Sequence, residues 1–140
     1  MHALIKAGAA LLAALLFTTA AQAAAPENTL VIELKNDKSA VVEIELLPKL
    51  APGHVERVKK LARAKFYDGI VFHRVIPGFM AQTGDPHGNG TGGSDMPDLK
   101  AECSGYTNKR GTVGAARAAT PDSANSPFFI CFDDSGWADL

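Results

Sequence analysis

The sequence has 140 residues, 46% hydrophobic and 21% charged, which suits one packed domain and excludes a disordered chain. With 14 basic against 15 acidic residues, net −1, it offers no basic face for nucleic acid and no electrostatic attraction to an anionic membrane.

In chain order, Lys6, an apolar run over 7–17 and the small-x-small pattern Ala21-Gln22-Ala23 read as a secretory signal over residues 1–23. The run is shorter than the about 20 residues that cross a bilayer; an uncleaved anchor is the alternative. Export to the periplasm, with no stable membrane association after cleavage, is the expectation. Cleavage would remove Lys6 and no acid, leaving 13 basic and 15 acidic residues in one domain over 24–140.

"NTLVIEL" (28–34) and "AVVEIELL" (40–47) alternate apolar and polar residues around the turn cluster "NDKS" (36–39), which predicts a β-hairpin. Between Pro52-Gly53 and Asp68-Gly69 the period changes. Val55, Val58, Leu61, Ala62 and Phe66 follow helical spacing, and Glu56, Arg57, Lys59, Lys60 and Arg63 form the expected solvated face. "IVFHRVI" (70–76), "FMAQTGD" (79–85), "GTVGAARA" (111–118) and "FFICF" (128–132) read as strands, and 86–98 as a glycine-rich loop. Many short strands with one helix predict a mainly β, antiparallel barrel capped by that helix.

Most candidate chemistry fails on context. "GNGTGG" opens no helix, so it is no nucleotide cradle. His54, His73 and His87 lack metal spacing, and Ser123 and Ser126 have no histidine partner in a recognisable motif. Neither a metal nor a cofactor is expected. Cys103 and Cys131 leave a disulfide open: export favours oxidation, while Cys131 in "FFICF" equally fits a small buried hydrophobe. The stretch that asks for an explanation is "FHRVIPGFMAQTGDP" (72–86), where Arg74 sits among bulky apolar residues. A snorkelling arginine explains the pattern blandly. A small apolar pocket with one cationic donor at its rim explains it functionally. His73, the strand neighbour of Arg74, would point to the other face and act structurally.

That stretch, with "GNGTGG", "RGTVGAARA" and "NSPFFIC" following in order, resembles the cyclophilin family of peptidyl-prolyl isomerases, its short bacterial exported members most of all. The resemblance runs from about Asn28 to the last residue. It implies an eight-stranded barrel capped by helices, no cofactor, a monomer, and proline-containing polypeptides as partners. It implies Arg74 as the catalytic arginine. Phe79, Met80 and Phe129 would wall the pocket for the proline ring, and Gln82 would hold the arginine and the substrate backbone. Gly90 would lie at the groove edge. Ala116, Arg117 and Ala118 would pair their backbone with the peptide, Arg117 standing where the family has asparagine, and Trp137 would close the pocket.

Three features depart from the family pattern. Pro127 replaces a glutamine, removing an N–H and a polar side chain. Ala115 replaces a larger methionine. The sequence ends at "DSGWADL", so the expected barrel is incomplete at its C-terminus, lacking the last strands and a helix. The expected function is isomerisation of X–Pro bonds in exported proteins. The alternatives are a proline-peptide-binding or chaperone-like module with little catalysis, and an inactive fragment.

Overall fold

A computed structural model describes residues 26–134. A short 3₁₀ turn at Pro26–Asn28 leads into strands β1 (Thr29–Leu34) and β2 (Asp37–Glu45), which form an antiparallel two-stranded sheet. Leu30 faces Ile44 and Ile32 faces Val42, so the apolar set shares one side, as the alternation predicts. The other side is solvated and leaves Val31 and Val41 exposed among Glu33, Glu43 and Glu45. The register slips between Glu33 and Leu34.

Helix α1 (Pro52–Arg63) starts with proline in its first turn, where a missing N–H costs nothing. Its N-cap, Ala51, supplies no side-chain bond. The carboxylate of Glu102 does so instead, accepting from the N–H groups of Gly53 (2.9 Å) and His54 (3.0 Å). The helix stops at Arg63, before the Asp68-Gly69 signal. Lys65 takes the left-handed conformation (φ 58°). Lys65 N–H then donates to Ala62 O and Phe66 N–H to Leu61 O, the paired bonds of a Schellman ending.

Arg57 corrects the solvated-face expectation. It lies one turn before Leu61 on the buried stripe and is 7% exposed, donating from Nη2 to Pro97 O at 2.6 Å. A long-range partner drew it out of the charged face.

Strands β3 (Arg74–Ile76), β4 (Met80–Thr83), β5 (Val113–Ala115) and β6 (Phe128–Cys131) form a second antiparallel sheet in the order β3-β4-β6-β5. The predicted strands are longer than the observed ones. Residues 70–73 make no ladder; Thr83 Oγ1 donates to Val71 O instead (3.0 Å). Residues 116–118 run past the end of β6 into a turn. Both outer strands leave open edges among the described residues, and the two sheets do not join into a closed barrel.

Met80, Ala81, Phe128 and Cys131 form the buried middle of this sheet, with Val55, Leu61 and Ile44 from the helix and hairpin. Tyr67 packs edge-on against Phe128 (5.7 Å between centroids) and donates to Ser126 O. Burial pushes its hydroxyl pKa well up, opposed by the Arg57 charge. Cys103 is exposed and Cys131 buried, and no bridge joins the two.

Candidate active site

The second sheet places Arg74 directly across from Gln82, Gln82 across from Phe129, and Phe129 across from Gly114. Residues opposite one another in a ladder share a face, so one row carries a cation, a carboxamide, an aromatic ring and a glycine across four strands. Met80 lies on the same face, two residues along β4 from Gln82, and is 3% exposed. Arg74 is exposed; Gln82 and Phe129 are half-buried. The Phe129 ring leans over Gly114, where an added Cβ would meet Cζ at 2.5 Å. Arg74 and Phe129 are two strand spacings apart, about 9–10 Å between backbones, a gap that a five-membered ring and its flanking amide can fill.

The other predicted residues lie on the turns and segments that flank these strands, or outside the described residues. Phe79 is half-buried in the β3–β4 turn, its N–H on Ile76 O and its carbonyl receiving Phe132 N–H. Gly90 stands on the β3 flank in the left-handed region (φ 89°), with its Cβ direction 3.9 Å from His73 Nε2. Both ring nitrogens of His73 are buried and have no hydrogen-bond partner among the described residues. Beyond β5, Ala116 N–H donates to Pro127 O (2.9 Å) and Ala118 N–H to Ser123 Oγ (2.9 Å). Arg117 is exposed just past β5. Its guanidinium folds back onto the carbonyls of Ala118 and Ala119. Trp137 lies outside the described residues.

Pro127 occupies a position with a specific backbone duty. Opposite Ala116, an ordinary residue would return an N–H to the Ala116 carbonyl. Proline has none, so the pair keeps only the bond from Ala116 N–H to Pro127 O.

The glycine-rich loop binds an anion, and the anion is the protein's own. Asp85 is 1% exposed, and its carboxylate accepts from the N–H groups of His87 (2.8 Å), Asn89 (3.1 Å) and Gly90 (2.6 Å). Burial raises the Asp85 pKa. The backbone donors of His87, Gly90, Gly92 and Asn89 outweigh that and pull it down to about 2. A carboxylate just ahead of "GNGTGG" was the available sequence signal for this nest. Glu102 had no such signal. Burial raises its pKa, but His54 Nδ1 at 2.6 Å and the α1 amides lower it on balance.

The cyclophilin-type peptidyl-prolyl cis-trans isomerase model matches residues 29–140. The chain belongs to this family. A Brucella suis protein named "Probable peptidyl-prolyl cis-trans isomerase" is 55% identical over 125 residues, 81% of this chain and 62% of that protein. Peptidyl-prolyl cis-trans isomerase B of Bacillus subtilis is 48% identical over 91 residues, 64% of this chain and 62% of that protein. Among solved structures, the cyclophilin AquaCyp293 of Hirschia baltica superposes with a TM-score of 0.72 at 26% identity, covering 83% of this chain and 61% of that one. A Cryptosporidium parvum cyclophilin-type isomerase, solved in the presence of the dipeptide Ala-Pro, gives 0.66 at 27% identity, covering 70% and 65%. The chain thus spans about three fifths of these cyclophilins, and its mainly β, antiparallel architecture with one helix is theirs.

Proposed function

We propose that the chain catalyses cis–trans rotation about X–Pro peptide bonds of exported polypeptides. The row Arg74–Gln82–Phe129–Gly114 carries this reading. Family membership and a relative solved with Ala-Pro support it.

The barrier to rotation is about 18–20 kcal/mol because amide resonance must break. No bond to a heavy atom is cleaved, so neither a nucleophile nor a base is required. A catalyst must hold the twisted amide more tightly than the planar one. In the twisted state the prolyl nitrogen becomes pyramidal and regains a lone pair. A guanidinium donor at Arg74 bonds to that lone pair, whereas the planar nitrogen offers no acceptor. Phe129 and Met80 hold the proline ring against an apolar surface. Gln82, between them and Arg74, is placed to bind the substrate backbone. The backbone of Arg117 takes the peptide as an added strand.

A hydrogen bond from a charged donor is worth roughly 1.5–3 kcal/mol, while a ~10⁵-fold acceleration needs about 7 kcal/mol. Arg74 therefore works only with ring immobilisation and drying by its apolar neighbours. A protease-coupled assay on an Ala-Pro peptide tests this. The parent should exceed the uncatalysed rate, and Arg74→Ala should lose roughly 10- to 150-fold in kcat/KM. Arg74 is exposed, so its melting temperature should hold. A parent rate equal to background, or full activity in Arg74→Ala, refutes the proposal.

Residues 1–23 serve as the export signal in this reading, and the periplasm is the site of action. N-terminal sequencing of protein recovered from the periplasm should begin at Ala24.

A further inference from the structure

Asn125 lies two residues before Pro127, in the segment that enters β6, and its carboxamide makes four hydrogen bonds to one stretch of the facing loop. Oδ1 accepts from Ser94 N–H (2.8 Å) and Ser94 Oγ (2.6 Å). Nδ2 donates to Met96 O (2.9 Å) and to Asp98 Oδ1 (2.9 Å). A carboxamide has two donors and two acceptor sites, so all are used, and on one partner. The approach is close: a Cβ at Gly93 would meet Asn125 Cγ at 3.0 Å.

The residues on either side of Asn125 are fastened as well. Ala124 O accepts Leu99 N–H (2.7 Å), and Ser126 Oγ donates to Gly84 O (2.8 Å). Three successive residues thus bind the glycine-rich loop and the end of β4 immediately before the strand that carries Phe129. The first half of the loop is fixed independently, by Asp85.

We propose that Asn125 is a positioning residue for prolyl isomerisation. Its carboxamide ties residues 94–98 to the segment that enters β6, and so fixes the line along which the strand carrying Phe129 approaches the proline ring. This rests on the function proposed above. Asn125 does not touch the row itself. Its part is to hold the β6 approach at one separation from residues 94–98, which its shape and donor pattern allow and an aspartate would not. Aspartate lacks the Nδ2 donors and would set a second carboxylate against Asp98.

The test uses the full chain, Asn125→Asp, Asp98→Asn and the double variant. The readouts are kcat/KM, the Kd of an Ala-Pro peptide by NMR titration, and melting temperature. Asn125→Asp should bind the peptide about tenfold more weakly and lose kcat/KM by a similar factor. The double variant exchanges donor and acceptor between positions 98 and 125, where the new carboxamide donates to the new carboxylate, while Met96 O is left without its donor. Affinity should then recover in part, by about threefold over Asn125→Asp. A role in stability alone would lower the melting temperature while leaving the Kd of the folded protein unchanged, and that result overturns the proposal. Loss without recovery in the double variant also overturns it. A parent that binds peptide without turnover defeats the catalytic reading but leaves positioning measurable through Kd. A parent that neither binds nor turns over defeats both.

Discussion

Replacing Gly114 with alanine should disable the groove from its blind side. Gly114 is not in the left-handed region, so alanine meets no backbone strain there, and the substitution is a purely steric probe. Its methyl would lie 2.5 Å from Phe129 Cζ, 2.9 Å from Cε1 and 3.1 Å from Cε2. Carbon atoms settle at about 3.5–4.0 Å, so the ring edge must retreat by roughly 1 Å. In the proposed groove, a retreat toward Gln82 would enter the space assigned to the proline ring. Overpacking costs about 1–3 kcal/mol, and the stiffer unfolded chain returns about 0.4–1 kcal/mol. A net destabilisation of about 1–2 kcal/mol is expected. A 1 Å misplacement can cost on the order of 10²-fold in rate, so kcat/KM should fall far more than stability does. The check pairs the protease-coupled assay with thermal melts, on Gly114→Ala and on Gly114→Ala combined with Phe129→Leu. The smaller side chain should recover the lost stability but not the activity. Gly114→Ala with kcat/KM within about twofold of the parent would show that Phe129 does not lie over Gly114 as described.

Three further outcomes are expected. Asp85 is held down to about 2 in the folded state against an ordinary 3.8, so its contribution is complete above about pH 4 and is lost as pH falls toward 2. Thermal melts of Asp85→Asn should show a flatter slope in that window and a cost of roughly 1.5–3 kcal/mol at neutral pH; an unchanged slope would contradict the nest. Glu102→Ala should cost about 0.5–2 kcal/mol by uncapping α1, with faster amide exchange at Gly53 and His54; exchange unchanged there would rule the cap out. Arg57→Met should leave the melting temperature level or higher, since no carboxylate pairs with that buried guanidinium among the described residues and its Nη1 is unsatisfied. A loss above about 2 kcal/mol would mean that the bond to Pro97 outweighs the buried charge.

Local patterns were enough to read the hairpin, the helix and the order of the strands. Period-2 alternation put Leu30, Ile32, Val42 and Ile44 on one side, and helical spacing put Val55 and Leu61 inward. Both periods are properties of the backbone and need no distant partner. The string around Arg74 also named the family, and the family model agrees. Strand ends were not legible, because a strand lasts only as far as its neighbour: residues 70–73 and 117–118 have strand-like composition and no ladder.

The tertiary structure alone decided the long-range bonds. Glu102 caps a helix 48 residues away, Arg57 leaves the charged stripe for Pro97, and Asn125 grips a loop some 30 residues back. No local period encodes such a bond, because the partner's position follows only from how the elements pack. The row from Arg74 to Gly114 depends on both levels. Sequence supplied the residue types, and the ladder registers brought them into line.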